Sequence, residues 1–299
     1  MSAEDFGFLL ALLLNGASIG LMYALIALGF VLVYKATDAI NFAQGEFVMM
    51  AGLVAAAVLG PDGTWLIVAI LVTLAVMIGF GFGLERVVLR PLLGRPVVAV
   101  IMATIGLAAM LRGLTPIVFG SATQGVPLPI GDEPIEIGPA SLPPIQVLGA
   151  VVAILFFLAF SWFFKKSRMG VAMRAVADNQ QVAQAMGINV ERYFAIAWAM
   201  TGVVSALGGI IWGSMLGVDI QLALVGLKVF PVVILGGLDS IGGALLGGVI
   251  VGVVESLAAG YLDPYVGGGT KDFAPYVLMI LVLMVRPYGI FGRRQIERV

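Results

Sequence analysis

Six long apolar stretches constrain this chain more than any other feature of its sequence. They are residues 8–33, 65–84, 97–119, 145–164, 194–213, and 276–285 with its flanks. A helix needs about 20 predominantly apolar residues to cross the hydrocarbon core of a bilayer. A transmembrane β-barrel instead alternates apolar and polar residues in segments of roughly ten, and this chain does not. The sequence therefore predicts an all-α integral membrane protein, with Phe8 opening a first span that is retained.

Composition supports the same fold class and argues against catalysis. Apolar residues make up 61% of the 299 residues and charged residues 11%, whereas a soluble domain carries about 25% charged residues. Cysteine and histidine are both absent, which excludes thiolate chemistry and removes the commonest general base and metal ligand. The sequence shows no nucleophile with its base, no metal-ligand spacing and no nucleotide-binding motif. We expect a single transmembrane domain over residues 1–299, with about eight or nine helices including broken or re-entrant segments, and no enzymatic activity or cofactor.

The placement of charges predicts an orientation. Lysine and arginine cluster at Arg86, Arg90 and Arg95, at Lys165, Lys166, Arg168, Arg174 and Arg192, and at Arg293, Arg294 and Arg298. Acidic residues dominate the segments between these clusters: Glu4, Asp5, Asp62, Asp132, Glu133, Glu136, Asp263 and Asp272. Cytoplasmic loops of membrane proteins carry the excess of basic residues. We therefore expect the N-terminus outside and the C-terminus in the cytoplasm.

Two polar interruptions, at residues 35–46 and 235–243, divide the apolar pattern. They contain Asn41, Gln44, Glu46, Asp239 and Ser240. Polar groups at membrane depth are costly unless they line water or pair within the bundle. Paired interrupted segments in two halves of a chain are typical of a transporter's working site. Helix capping by Asn41, Glu46, Asp239 and Ser240 is an equally open reading, and the two readings are compatible.

Loops on the two sides differ in character. The outer segment 121–144 is rich in proline and glycine, which predicts an irregular loop. The inner segment 165–192 contains good helix formers over about 171–187 and ends at Gly187, a natural helix stop. We expect an amphipathic cytoplasmic helix there, with Ala175, Val182 and Met186 on one apolar stripe. Arg112, Lys228 and Glu255 are isolated ionisable residues near apolar segments, and the sequence does not identify their partners.

Several segments in order along nearly the whole chain resemble one family. These are residues 15–30, the Ile-Asn-Phe-Ala-Gln-Gly-Glu stretch at 40–46, 174–178 with 185–188, 235–244, and 285–292. They resemble the permeases of branched-chain amino acid ABC importers, in particular the smaller, H-type permease subunit. Many members carry histidine where Gln44 stands, so a role that needs a titratable ring is absent here. Urea and short-amide permeases share the same motifs.

The resemblance implies a set of partners and roles. The partners would be a second permease subunit in a heterodimer, two ATP-binding subunits that use the ATP, a periplasmic substrate-binding protein and the lipid bilayer, with no nucleic acid. The location would be the bacterial inner membrane. From the two interrupted segments, independently of the resemblance, we expect the substrate pathway to be bordered by Asn41, Gln44, Glu46, Asp239 and Ser240. Arg174, Ala175, Asp178, Val182, Met186 and Gly187 would form the helix that couples to an ATPase. An ion-coupled secondary transporter is the alternative of another class, because it also uses broken helices.

Overall fold

A computed structural model describes residues 3–60, 63–92, 95–131 and 133–292. Within these ranges the helices are α1 (Ala3–Thr37), α2 (Gln44–Leu59), α3 (Leu66–Leu84), α4 (Val97–Phe119), α5 (Pro144–Lys166), α6 (Arg168–Asp178), α7 (Gln180–Ala185), α8 (Val190–Leu216), α9 (Val225–Gly236), α10 (Ile241–Tyr261), α11 (Asp263–Val266) and α12 (Thr270–Val285). Strands β1 (Ile135–Ile137) and β2 (Ala140–Leu142) lie between α4 and α5. Asp62, Asp132, Arg293, Arg294 and Arg298, which contribute to the predicted orientation, lie outside the described residues.

Six helical segments of the described chain are long and apolar enough to cross a membrane. They are Glu4–Thr37, Leu66–Leu92, Val97–Phe119, Pro144–Lys166, Val190–Leu216 and Ile241–Tyr261. Two shorter apolar segments, Gln44–Leu59 and Ile220–Gly236, accompany them. The predicted all-α, polytopic membrane fold is confirmed. The sixth long span is α10 rather than the apolar stretch at 276–285, since residues 241–261 form one continuous helix and α12 is 16 residues long.

The chain divides into two compact units. Unit 1 contains residues 1–27, 130–157 and 228–299, and unit 2 contains residues 28–129 and 158–227. Helix α1 therefore supplies its first part to unit 1 and its last part to unit 2.

In unit 2, α2, α3 and α8 pack on one another around an aromatic centre. The ring of Phe47 lies 5.1 Å from that of Phe80 and 5.8 Å from that of Trp198, centroid to centroid. Small residues let the helix backbones approach closely, as is usual where lipid provides no hydrophobic drive between helices. A Cβ added at Gly202 would overlap the carbonyl oxygen of Met77 on α3.

In unit 1, α10 packs against α12 and against the first part of α1. Four glycines make the second contact possible: Gly16 and Gly20 on α1 face Gly252 and Gly248 on α10. A Cβ added at any of the four would overlap backbone of the opposing helix. The glycines of α10 thus allow tight helix packing.

Two local predictions were wrong. The outer segment 121–144 contains an antiparallel hairpin, in which β1 pairs with β2 through the register Ile135 to Leu142. Gly138, with φ of 62°, lies in its turn, and the abundant proline and glycine masked the short alternating pattern on either side. The single inner helix over about 171–187 is instead two helices, α6 and α7, separated at Asn179.

Candidate functional site

The first interruption ends α1 and begins α2 through a six-residue connection. Asp38 has φ of 53°, a conformation that residues with a side chain rarely adopt. Its N–H donates to the Tyr34 carbonyl oxygen at 2.8 Å, which closes the last turn of α1. Ala43 is the residue before α2, and no side chain of the described residues caps that helix. The capping predicted for Asn41 and Glu46 at the start of α2 is therefore not observed.

Asn41 and Gln44 belong to a buried polar cluster. Both side chains are inaccessible to solvent. The Asn41 amide donates to Gln44 Oε1 at 3.4 Å, and Gln44 Nε2 donates to the Ser205 hydroxyl of α8 at 3.1 Å. Asn41 Oδ1 accepts from the Ala43 N–H at 3.1 Å. Buried polar groups need such partners because leaving one unpaired costs about 1–3 kcal/mol.

The same connection is attached to α4. The N–H of Phe42 donates to the Thr104 hydroxyl at 3.2 Å. That hydroxyl in turn lies 2.8 Å from the carbonyl oxygen of Ile101. The interruption between α1 and α2 is thus held from two sides, by Thr104 of α4 and Ser205 of α8. Neither residue stood out in the sequence, because a single serine or threonine on an apolar helix face carries no distinguishing signal.

Glu46, in the first turn of α2, forms an ion pair that the sequence did not identify. Arg112 Nε lies 2.8 Å from Glu46 Oε1, and the glutamate side chain is almost completely buried while the arginine is 44% exposed. The second carboxylate oxygen, Glu46 Oε2, is buried and has no hydrogen-bond partner among the described residues. A buried carboxylate of this kind depends on its one cation.

The second interruption lies between α9 and α10 in unit 1. Ser240 is the residue before α10, and its hydroxyl accepts from the Gly243 N–H at 3.0 Å. The capping predicted for Ser240 is observed. Asp239 precedes it in the same turn, where Gly237 adopts φ of 96°. The start of α10 is a helix N-terminus, which is a favourable environment for negative charge.

Lys228 and Glu255, isolated in the sequence, share a charged cluster in unit 1. Lys228 Nζ lies 2.6 Å from Asp272 Oδ1 and 3.8 Å from Glu255 Oε1. The Tyr23 hydroxyl donates to the same oxygen of Glu255 at 3.3 Å. The cluster joins α1, α9, α10 and α12. Nearby and outside the spanning segments, the Thr270 hydroxyl and N–H donate to Asp263 and hold the pKa of that carboxyl below its usual value.

The inner segment presents an exposed apolar surface on α7. Val182 is 57% and Met186 79% exposed, whereas Ala175 on α6 is half-buried. The three residues therefore do not form one continuous stripe. Asn179 separates the two helices because its backbone is extended (φ −162°), and its side chain caps α7 by accepting from the Val182 N–H at 2.9 Å.

Contacts beneath this surface anchor α6 and α7 in unit 2. Ala183 and Val176 are buried. The Gln180 side-chain amide donates to the Ala36 carbonyl oxygen at 3.3 Å, which ties the start of α7 to the end of α1. Arg174 and Asp178 are exposed, and Gly187 follows α7 with φ of 82°. Of the predicted site residues, the structure brings Asn41 together with Gln44, and it groups the inner-segment residues on α6, α7 and the turn after α7.

Comparison with known proteins identifies relatives over the full chain. A family model described as "Branched-chain amino acid transport system / permease component" matches residues 12–283. The chain is 34% identical to the high-affinity branched-chain amino acid transport system permease protein LivH of Salmonella typhimurium, over 99% of this chain and 100% of that protein. It is 32% identical to BraD, of the same description, from Pseudomonas aeruginosa, over 96% and 97% of the two chains. A probable LivH of Methanocaldococcus jannaschii is 30% identical, over 94% and 92%.

Proposed function

Because this chain belongs to the family of branched-chain amino acid transport permeases, we propose that it moves branched-chain or other hydrophobic amino acids across the inner membrane as one subunit of an ATP-driven importer. The observation that carries the proposal is the end-to-end match to the H-type permeases, at about one residue in three. The six long apolar helices fit a multi-pass membrane permease. A match of this length includes both interruptions and the inner segment.

The importer needs further subunits, because this chain does not supply an ATP-hydrolysing site of its own. Its sequence contains no nucleotide-binding motif, so ATP hydrolysis belongs to partner chains. We infer a complex with a second permease, two ATP-binding subunits and a periplasmic substrate-binding protein. The N-terminus lies outside and the C-terminus in the cytoplasm, which puts the inner segment on the side of the ATPases. The exposed Val182 and Met186 support docking there.

The interruptions border the substrate pathway in this proposal, each in its own unit. In unit 2 the buried cluster of Asn41 and Gln44 fixes the course of the backbone before α2, rather than presenting both amides to a ligand. Glu46, one turn later, is held by Arg112. In unit 1 Ser240 caps α10, and the half-buried Asp239 directly precedes it. Asp239→Ala and Asn41→Ala are each expected to reduce transport while the complex still assembles, and Asn41→Ala also removes buried hydrogen bonds.

Co-purification combined with a binding measurement tests the proposal. The chain is expressed with the genes that neighbour it, purified in detergent through a tag on the chain, and the co-purifying proteins are identified. Co-purifying ATP-binding subunits support the importer. Titration of the partner periplasmic protein with leucine, valine and urea then identifies the substrate class. A transporter that purifies alone and requires an ion gradient would contradict the proposal.

A further inference from the structure

A cavity of about 430 Å³ lies in unit 2 beside the junction of α6 and α7. Its walls come from the end of α1, the turns that follow α3, the start of α4, the α6–α7 junction and the start of α8. This volume falls in the range of about 300–1,000 Å³ typical of small-molecule sites. Its described lining includes neither Asn41 nor Gln44, so it is separate from the buried polar cluster.

A buried tryptophan of α8 forms part of the cavity wall. Trp198, which contributes to the lining, is fully buried, and its indole N–H has no hydrogen-bond partner among the described residues. Gly81 of α3 lies against the backbone of Trp198, where a Cβ would overlap the carbonyl oxygen. The N–H is inaccessible to solvent, so this tryptophan contributes a packed wall and not a contact for a ligand oxygen.

The charges and apolar groups of the lining specify a ligand. Arg95 supplies a cation, and Asp38, Glu85 and Asp178 supply carboxylates, of which Glu85 is paired with Arg90. Val100 and Phe194 contribute apolar wall. A ligand that matches all three features is a small molecule with a carboxylate, an ammonium group and an aliphatic side chain. Pockets that combine apolar walls with a few placed polar groups are typical of small-molecule sites.

We propose that this cavity binds a zwitterionic α-amino acid with an aliphatic side chain, entering from the cytoplasmic side. The proposal rests on the proposed function, and it adds a site for the transported amino acid after its release. Asn179 and Gln180 line the cavity as well, and Gln180 ties α7 to α1. A ligand bound in the cavity restricts movement at the α6–α7 junction, through which the chain couples to the ATPase. Amino acid that accumulates in the cytoplasm therefore slows the importer.

The test compares two tryptophan substitutions on α4. Val100 lines the cavity, and Val98, 62% exposed, is not part of its lining. The co-purified complex is placed in nanodiscs without the periplasmic protein and titrated with L-leucine by isothermal calorimetry. Wild type and Val98→Trp are expected to bind saturably, and Val100→Trp to bind at least about tenfold more weakly. Arg95→Gln, which keeps the cavity open but removes the cation, is expected to weaken binding as well, and it decides the matter if Val100→Trp does not assemble.

ATP-driven uptake by the same wild-type preparation separates the two claims. Uptake together with no saturable leucine binding, or with binding unchanged in Val100→Trp and Arg95→Gln, overturns the cavity site and leaves the importer intact. No uptake of any branched-chain amino acid overturns the proposed function itself. Leucine placed on the side of the membrane that carries the ATP-binding subunits is expected to slow uptake by wild type but not by Arg95→Gln.

Discussion

Three glycines of α3 look equivalent in the sequence, but only one of them is required for helix packing in the structure. Gly79, Gly81 and Gly83 alternate along one helix and look equivalent. In the structure a Cβ at Gly81 would overlap the carbonyl oxygen of Trp198 on α8, whereas a Cβ at Gly79 or Gly83 would meet no atom within 4 Å. Only Gly81 is required by the packing of the described residues, and the other two face away from their own unit.

Alanine substitutions at these glycines test that difference. Gly81→Ala is expected to destabilise the protein by about 1–3 kcal/mol, because the added methyl group forces α3 and α8 apart. Gly79→Ala, the matched control two residues earlier, is expected to be neutral or slightly stabilising, since alanine is the better helix former. Thermal unfolding of the two variants in detergent measures the effect. Equal melting temperatures would contradict the packing described for Gly81.

The pair of Glu46 and Arg112 makes a second prediction at the residue scale. Arg112→Gln leaves the buried Glu46 carboxylate without its cation, so this variant is expected to melt well below wild type. The double variant Glu46→Gln with Arg112→Gln removes both charges and is expected to recover much of the loss. The partial exposure of Arg112 reduces the size of both effects through solvent screening. A double variant that is less stable than Arg112→Gln would show that the unpaired Glu46 carboxylate does not cause the lower melting temperature.

At the scale of elements, the cytoplasmic segment consists of two short helices, α6 and α7, and not of one continuous helix. Asn179 breaks the helix and caps its second part, and the buried Ala183 seats α7 in unit 2. Val182 on α7 and Met186, directly after α7, are exposed. An exposed apolar pair on a short, anchored helix suits contact with another protein, because burying it there is favourable at about 25 cal/mol per Å² of apolar surface.

Charge placed on that surface tests its role in coupling. Val182→Asp is expected to release the ATPase subunits or to uncouple ATP hydrolysis from uptake. Gln184→Asp, which adds the same charge on another face of α7, is the matched control and is expected to retain coupling. Asp178→Asn is expected to have a mild effect, since exposed ion pairs contribute only about 0–1 kcal/mol. Co-purification and the ratio of ATP hydrolysed to amino acid transported give the readout. Full coupling in Val182→Asp would contradict the docking role.

At the scale of the whole molecule, the orientation follows from charge and is testable directly. The chain contains no cysteine, so single cysteines can be introduced without background. Glu133→Cys, in the outer segment, and Asn179→Cys, in the inner segment, replace exposed residues. A membrane-impermeant maleimide added to intact spheroplasts is expected to label Glu133→Cys alone, and Asn179→Cys only after the membrane is opened. Labelling of both from the same side would overturn the orientation.

The sequence predicts the large features of this protein and misses the contacts between distant segments. Span-length apolar runs and the two interruptions are local properties, so the all-α membrane fold and the break at residues 38–43 were predictable. The partners of Gln44, Glu46 and Lys228 lie 161, 66 and 44 residues away along the chain, and nothing local indicates them. The split at Asn179 was missed because the residues around it are good helix formers. The pathway and coupling roles stay predictions.

ATP-driven uptake in a reconstituted system tests the central claim most directly. The complex of this chain with its co-expressed subunits is placed in proteoliposomes with ATP enclosed, and the partner periplasmic protein and radiolabelled leucine are added outside. We predict leucine accumulation that requires ATP and the periplasmic protein, that continues without any ion gradient, and that stops when the ATP-binding subunits are inactivated. Accumulation that follows an imposed ion gradient and ignores ATP would contradict the account.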